Sequence, residues 1–108
     1  MALEISVQET KALLDSGVPL RLIDCREPDE YAFCRIEGAE LMPLSTFAGE
    51  IGARVPDRNA LVVIYCHAGV RSARAADYMT GLGYTNVRSM RGGIEAWSLE
   101  VDPSVPRY

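Results

Sequence analysis

Apolar residues gather in short runs, which are separated by longer stretches where apolar and polar positions recur with a helical period. Four runs predict β-strands: Leu20–Asp24, Ala39–Met42, Leu61–Tyr65 and Asn86–Met90. Leu61–Tyr65 is apolar at every position. A strand of this kind must be covered on both faces, which is typical of a parallel sheet between two layers of helices.

The stretches between these strands predict helices. They are Gln8–Ser16, Pro28–Phe33, Ser45–Ala48, Glu50–Arg54, Ser72–Leu82 and Gly93–Leu99. Ser6 and Glu9 form a capping-box pattern at the start of the first helix, and Gly17 ends it. The apolar side of the longest helix is expected to consist of Ala73, Ala76, Met79 and Leu82.

Strands and helices alternate along the chain, which predicts an α/β fold of three layers. At 108 residues, the chain is long enough to form one domain with its own hydrophobic core, and we expect that domain to be residues 1–108. Ligands of such folds bind at the carboxyl ends of the strands. A functional site is therefore expected in the loops that follow the strands.

The composition argues against several classes of protein. Hydrophobic residues make up 48% of the chain and charged residues 24%, and no apolar run approaches the roughly 20 residues that span a bilayer. The segment Met1–Glu4 carries neither a basic nor an apolar signal region, so we expect a cytoplasmic protein without a membrane segment. Three widely spaced cysteines argue against a disulfide framework and for free thiols in a reducing compartment.

The charge pattern favours a small anionic ligand over nucleic acid. The net charge is −4, there is one lysine, and no basic run occurs, which argues against nucleic-acid binding. The acidic excess lies in residues 1–57, whereas residues 58–108 carry a basic excess that includes Arg71, Arg74, Arg88 and Arg91. A local positive field of this kind suits a small anion. Scattered solvated arginines are the alternative for all of them except Arg71, whose position in a loop sets it apart.

Cys66 is the strongest candidate for chemistry. It ends the apolar run Leu61–Tyr65 and opens the loop Cys66–Arg71, which leads directly into the predicted helix Ser72–Leu82. A strand, a short glycine-containing loop and a helix aim several backbone N–H groups at one point. The helix N-terminus and Arg71 both favour the thiolate, which is the reactive form of cysteine. We therefore expect Cys66 to be a nucleophile.

Four stretches resemble a single rhodanese-type sulfurtransferase domain, and they occur in the order found in that family. They are Leu22–Tyr31 (LIDCREPDEY), Arg35–Ala39 (RIEGA), Val63–Ser72 (VIYCHAGVRS) and Arg91–Trp97 (RGGIEAW). Any one of them is weak evidence, but together they are specific and cover nearly the whole chain. The tail Trp97–Tyr108 is similar to the end of rhodanese domains fused to E1-like adenylyltransferases. Two positions depart from the commonest pattern: Cys34-Arg35 stands in place of Gly-His, and Glu37 in place of Pro.

The resemblance implies a three-layer, rhodanese-like α/β fold around a central, mainly parallel five-stranded sheet. It implies that Cys66 takes sulfane sulfur as a persulfide from thiosulfate or a protein persulfide and passes it to a thiophilic acceptor. No cofactor is expected. The alternative is a relay module that acts only with a partner such as a sulfur-carrier protein, an E1-like adenylyltransferase or a cysteine desulfurase. Related phosphatases have a loop one residue longer than Cys66–Arg71, which disfavours phosphatase or arsenate reductase activity.

The loop residues have expected roles in this chemistry. Backbone N–H groups are expected to hold the terminal sulfur of the persulfide, and they belong to His67, Ala68, Gly69, Val70, Arg71 and Ser72. Arg71 is expected to bind the anionic substrate, because a guanidinium fork matches a sulfonate or a carboxylate. The alternative is an arginine at the helix start that pairs with an acidic neighbour. Gly69 is expected to supply a positive φ angle or a close approach to the anion.

Two other side chains of this segment are expected to play supporting roles. Ser72 is interpreted as the helix cap rather than as a catalytic group, although its hydroxyl can serve both purposes. His67 is interpreted as an exposed loop residue that tunes access and charge, because a thiolate held in such a loop needs no general base.

The remaining candidates lie outside the loop. Asp24 and Arg26 are expected to brace the end of the sheet, with direct substrate contact as the alternative. Cys25 and Cys34 are expected to be inert, partly buried thiols, and the alternative is that either one resolves the persulfide as a disulfide. A zinc site built from the three cysteines and His67 is not expected, because close-pair spacing is missing. Trp97 is expected to pack in the core.

Overall fold

The computed structural model describes residues 3–108, and within them five strands and five helices. The strands are β1 (Glu4–Ile5), β2 (Arg21–Asp24), β3 (Glu40–Leu41), β4 (Val62–Tyr65) and β5 (Val87–Met90). The helices are α1 (Val7–Ser16), α2 (Pro28–Phe33), α3 (Leu44–Arg54), α4 (Val70–Gly81) and α5 (Gly93–Glu100). None of these helices is long and apolar enough to cross a membrane.

The strands form one parallel sheet in the order β1-β5-β4-β2-β3. This confirms the α/β class and the five-stranded parallel sheet. The two-residue strand β1 pairs with β5 at one edge, and it is not among the four strands that the sequence pattern predicts. A strand of two residues is too short to produce a recognisable alternation.

The sheet separates two hydrophobic cores. Successive side chains of a strand point to opposite faces, and along β4 the residues Val62 and Ile64 join a core with α3 and α4. Val63 and Tyr65 join a second core with α1 and α5, which contains the buried Trp97 as predicted. Cys66 continues the alternation and lies on the α3/α4 face.

The ends of α1 follow the sequence prediction. The Ser6 hydroxyl accepts a hydrogen bond from the backbone N–H of Glu9 at 3.0 Å, and the Glu9 carboxylate accepts one from the N–H of Ser6 at 3.0 Å. Gly17 ends the helix with φ of 76°. The predicted capping box is therefore confirmed, and it satisfies two N–H groups that a helix N-terminus leaves without partners.

Two helices differ from the prediction. Ser45–Ala48 and Glu50–Arg54 are parts of the single helix α3, which runs through Gly49 because Phe47 and Ile51 share a buried face one turn apart. The buried residues of α4 are Ser72, Ala75, Ala76 and Met79, whereas Leu82 is 40% exposed. Ala76 and Met79 are therefore buried as expected, whereas Ala73 is only partly buried and Leu82 lies beyond the last residue of the helix.

The carboxyl end of β2 carries a buried ion pair. Asp24 and Arg26 are both fully buried, and Nη2 of Arg26 lies 2.6 Å from Oδ2 of Asp24. The same guanidinium donates to the backbone oxygen of Cys34 at 2.6 Å and to the phenol oxygen of Tyr108 at 2.9 Å. A buried charge is tolerated only when its hydrogen-bonding capacity is met in this way. The pair thus links the end of β2 to the backbone of Cys34 and to Tyr108.

Replacing Asp24 tests how much this ion pair contributes to stability. Asp24→Asn leaves the Arg26 charge buried without a counterion, and we expect it to lower the free energy of unfolding by about 3–5 kcal/mol. The matched control is Glu40→Gln, because Glu40 pairs with Arg21 at 2.7 Å in a position where both side chains are about one-third exposed. Glu40→Gln should lower the free energy of unfolding by about 1 kcal/mol or less. Urea unfolding followed by circular dichroism measures both, and equal losses would contradict the assigned role.

Candidate active site

The sulfur of Cys66 lies at the carboxyl end of β4, where the loop to α4 surrounds it. The backbone N–H of Gly69 donates to Sγ at 3.1 Å, and the N–H of Ser72 donates to it at 3.4 Å. Cys66 is only 1% exposed. Because N–H groups that point at a sulfur favour its negative charge, this arrangement stabilises the thiolate.

The loop takes this shape because of a turn at Gly69. Its φ is +105°, as the sequence predicted, and it precedes the first residue of α4, Val70. A Cβ at Gly69 would lie 3.3 Å from the backbone nitrogen of Gly92. A side chain there would combine a strained backbone with a crowded contact, so glycine is required for both reasons.

The segment after β5 holds the loop from the other side. The N–H of Ile94 donates to the carbonyl oxygen of Cys66 at 2.9 Å, and the N–H of Glu95 donates to that of His67 at 3.1 Å. A Cβ at Gly93 would lie 2.5 Å from the Cys66 oxygen and 2.3 Å from the His67 oxygen. The N-terminus of α5 therefore anchors the loop, and only glycine permits the contact.

Ser72 faces the sulfur and is not the helix cap that we predicted. Gly69 occupies the N-cap position, so Ser72 lies within the first turn of α4 and is fully buried. Its hydroxyl lies 3.5 Å from the Cys66 sulfur and 2.7 Å from the hydroxyl of Ser89 on β5. When Cys66 is a thiolate, Ser72 donates to it and Ser89 donates to Ser72. Ser89 was missed because a single serine in a short strand carries no distinctive signal.

Cys25 is the second cysteine on the face of the sheet that carries Cys66. It follows β2 as Cys66 follows β4, it is fully buried, and it belongs to the same hydrophobic core. The sequence contained a signal for this proximity: each cysteine comes directly after one of two predicted strands. The missing information was that these two strands are neighbours in the sheet.

These contacts determine the ionisation of the two thiols. The hydrogen bond from Cys25 and those from Ser72 and Gly69 lower the pKa of Cys66 well below the usual value of a cysteine, although burial opposes them. The same hydrogen bond and burial raise the pKa of Cys25. At neutral pH the pair therefore consists of a Cys66 thiolate and a Cys25 thiol.

Arg71 is held by an ion pair that the sequence left as an alternative. Its guanidinium donates to both carboxylate oxygens of Glu30 in α2, at 2.6 and 3.0 Å. Arg71 lowers the pKa of Glu30 to about 2, so the pair is charged at neutral pH. Nothing in the sequence distinguishes Glu30 from the other acidic residues, since the pairing depends on how α2 docks beside the loop.

Aromatic rings form one rim of the site. His67 stacks on Tyr108 with ring centroids 4.2 Å apart, and Phe33 meets the same ring edge to face at 5.7 Å. The Tyr108 hydroxyl donates to the Glu30 carboxylate at 2.7 Å. His67 is therefore half-buried against a ring instead of being an exposed loop residue. Val70, in contrast, is 71% exposed.

The other predicted site residues lie apart from the sulfur. Asp24, Arg26 and Cys34 belong to the buried network at the end of β2, on the face of the sheet opposite Cys66. Cys34 lies in the core with Tyr65 and Trp97. Within residues 3–108, no three histidine, cysteine or acidic side chains come together as a metal site.

Comparison with known proteins identifies the family. The profile of the rhodanese-like domain matches residues 6–100. The chain is 41% identical over 106 residues to the "Probable adenylyltransferase/sulfurtransferase MoeZ" of Mycobacterium tuberculosis, a match that covers 96% of this chain and 26% of MoeZ. It thus spans about a quarter of the length of that relative.

Two shorter proteins also match. The "Thiosulfate sulfurtransferase PspE" of Escherichia coli is 37% identical over 70 residues, covering 65% of this chain and 67% of PspE. The structure of the human single-domain sulfurtransferase TSTD1 superposes with a TM-score of 0.79 at 29% identity, covering 93% of this chain and 98% of the human one. The chain belongs to the rhodanese-like domain family, and its relatives include sulfurtransferases.

The site geometry predicts how the thiols respond to pH. The rate of alkylation by iodoacetamide follows the thiolate fraction, so it should rise as pH increases through the lowered pKa of Cys66 and stay level above it. We expect a midpoint between about 3.5 and 7.5 instead of about 8.5. Ser72→Ala removes one donor and should move the midpoint upward. Mass spectrometry of modified peptides assigns each rate, and a Cys66 midpoint like that of free cysteine would contradict the proposed stabilisation.

Proposed function

We propose that this chain is a sulfurtransferase that carries sulfane sulfur as a persulfide on Cys66. The observation that supports the proposal most directly is the Cys66 sulfur itself, which accepts hydrogen bonds from the N–H groups of Gly69 and Ser72 at the start of α4. The thiolate is the form that attacks sulfur. Free thiols at all three cysteines suit a reducing compartment such as the cytoplasm.

The loading step is a displacement at sulfur. The Cys66 thiolate attacks the outer sulfur of thiosulfate, a new S–S bond forms, and sulfite leaves with the electron pair of the bond that breaks. With a protein persulfide as donor, the leaving group is the donor's thiolate. The negative charge then resides on the outer sulfur, and in this proposal the backbone N–H groups of residues 67–72 bind it.

The second step delivers the sulfur. A thiophilic acceptor attacks the outer sulfur of the persulfide, and Cys66 leaves as the thiolate. The same hydrogen bonds that lower the pKa of Cys66 make it a good leaving group, because a less basic thiolate departs faster. No cofactor is required for either step.

A relay role with a protein partner is the second candidate. The relationship to MoeZ favours it, because this chain matches one part of an adenylyltransferase/sulfurtransferase. In this role the acceptor is a sulfur-carrier protein or an E1-like adenylyltransferase, and the isolated chain would turn over slowly. Sulfur transfer from thiosulfate to cyanide, measured with and without such a partner, separates the two roles.

Replacing the nucleophile tests both candidates together. Cys66→Ser should abolish sulfur transfer and leave the melting temperature nearly unchanged, because serine is close to cysteine in size. Cys34→Ser is the matched control and should retain most of the activity, since Cys34 lies on the other face of the sheet. After incubation with thiosulfate, mass spectrometry should find one extra sulfur on Cys66 of the wild type and none on the serine variant. Activity that survives in Cys66→Ser would disprove the proposal.

The role of Arg71 is tested through KM. Thiosulfate competes with Glu30 for the Arg71 guanidinium. Arg71→Ala should therefore raise KM for thiosulfate, and Glu30→Gln should lower it. The loss of one charge-assisted hydrogen bond, worth about 1.5–3 kcal/mol, corresponds to a decrease in kcat/KM on the order of ten- to a hundred-fold. Arg71→Lys should recover part of the lost kcat/KM.

Arg74 provides the matched control for these measurements. It is an exposed arginine on the same helix, and Arg74→Ala should change KM little because solvent screens its charge. If KM is unchanged in Arg71→Ala, the anion is bound by the backbone N–H groups of the loop and Arg71 serves only to dock α2.

A further inference from the structure

Cys25 and Cys66 occupy equivalent positions on neighbouring strands. The register pairs Asp24 of β2 with Tyr65 of β4, and the N–H of Cys25 donates to the Tyr65 carbonyl oxygen at 3.0 Å. Cys25 and Cys66 are therefore the next pair along the two strands. Both side chains belong to the same buried core, so they project from the same face of the sheet.

This placement agrees with the Cα separation that a disulfide needs. Neighbouring strands lie roughly 4.7–4.9 Å apart, and disulfides join residues whose Cα atoms are roughly 4.4–6.8 Å apart. Cys34 does not meet the same condition, because it lies in the core on the opposite face and its carbonyl oxygen is bound by Arg26. Of the two further cysteines, Cys25 alone can reach the sulfur of Cys66 without a rearrangement of the fold.

Burial gives Cys25 access to an atom that molecules in solution do not reach. In a persulfide, Cys66 carries an inner sulfur, which is its own Sγ, and an outer sulfur, which an acceptor attacks. Sγ accepts hydrogen bonds from the N–H groups of Gly69 and Ser72, and Cys66 and Cys25 are only 1% and 0% exposed. An external thiol therefore meets the outer sulfur, and Cys25 meets the inner one.

We propose that Cys25 is a resolving residue, whose sulfur attacks the inner sulfur of the Cys66 persulfide and releases the outer sulfur as hydrosulfide. This inference rests on the persulfide of the proposed function. The bond between Cys25 Sγ and Cys66 Sγ forms, and the bond between Cys66 Sγ and the outer sulfur breaks. The outer sulfur leaves with that electron pair and takes the proton of the Cys25 thiol. A thiol and a persulfide anion thus become a disulfide and HS⁻, without an external oxidant.

The reaction cannot occur before sulfur is loaded, because Cys66 then carries no S–S bond and no leaving group. In the resting protein the Cys66 thiolate accepts a hydrogen bond from Cys25 and, together with burial, raises the pKa of Cys25. Loading moves the negative charge outward by one sulfur atom, away from Cys25. The Cys25 thiol then faces a neutral sulfur that carries a leaving group. An external dithiol is required afterwards to reduce the disulfide and restore both cysteines.

A single-turnover experiment tests the proposal. The full chain is loaded with polysulfide, desalted, and kept without an acceptor or a reductant. In the wild type we expect the extra sulfur on Cys66 to disappear, hydrosulfide to appear in equal amount, and a Cys25–Cys66 disulfide to be found in the peptide map. In Cys25→Ser and Cys25→Ala the persulfide should persist on the order of ten times longer or more, because neither side chain is a nucleophile toward sulfur.

Cys34→Ser is the matched control and should behave as the wild type does. Melting temperatures of all variants show whether each is folded, and the disulfide map of the wild type tests the pairing without any substitution. A persulfide that loads but decays at the same rate in wild type and in Cys25→Ser, with no Cys25–Cys66 disulfide, overturns the resolving role and leaves the sulfurtransferase proposal intact. If no variant that contains Cys66 takes up sulfur, the proposed function is wrong and the resolving role falls with it.

Discussion

The buried charge of Arg26 is the constraint on which the arrangement around the site depends. A guanidinium with no exposed surface must satisfy its donors inside the protein, because an unpaired buried charge costs several kcal/mol or more. Here Asp24, the carbonyl oxygen of Cys34 and the hydroxyl of Tyr108 accept from it. These acceptors come from the end of β2, from the residue after α2 and from residue 108, so one side chain joins three distant parts of the chain.

The rim of the site follows from that junction. Tyr108, held by Arg26, donates to Glu30 and stacks on His67, and Glu30 in turn holds Arg71 at the start of α4. Buried and half-buried polar groups thus form a continuous hydrogen-bond network from the face of the sheet opposite Cys66 to the loop around Cys66. Because each group in such a network orients the next, the conformation of the cysteine loop depends on contacts that are made on both faces of the sheet.

The sequence predicted those parts of the molecule that depend on local chemistry. The strand Leu61–Tyr65, the capping box at Ser6 and the positive φ of Gly69 each rest on a few neighbouring residues, and each is confirmed. Contacts between residues that are far apart in the sequence were not predicted. The contacts of Arg71 with Glu30 and of Ser72 with Ser89 depend on how α2 and β5 are placed beside the loop. The helix start at Val70 was missed because the turn at Gly69 begins the helix earlier than the Ser72 signal suggested.

In the proposed persulfide of Cys66, the two sulfurs have different surroundings. The N–H groups of Gly69 and Ser72 at the start of α4 meet Sγ, the inner sulfur, and β2 places the fully buried Cys25 in the same core. We therefore propose that transfer to an acceptor takes place at the outer sulfur and that Cys25 attacks the inner one. The parallel register of β2 and β4 is sufficient for this, because it brings the residues after both strands to the same edge and face of the sheet. In this proposal, the balance between delivering a sulfur atom and releasing hydrosulfide depends on how quickly an acceptor reaches the outer sulfur, compared with the rate at which the Cys25 thiol gives up its proton.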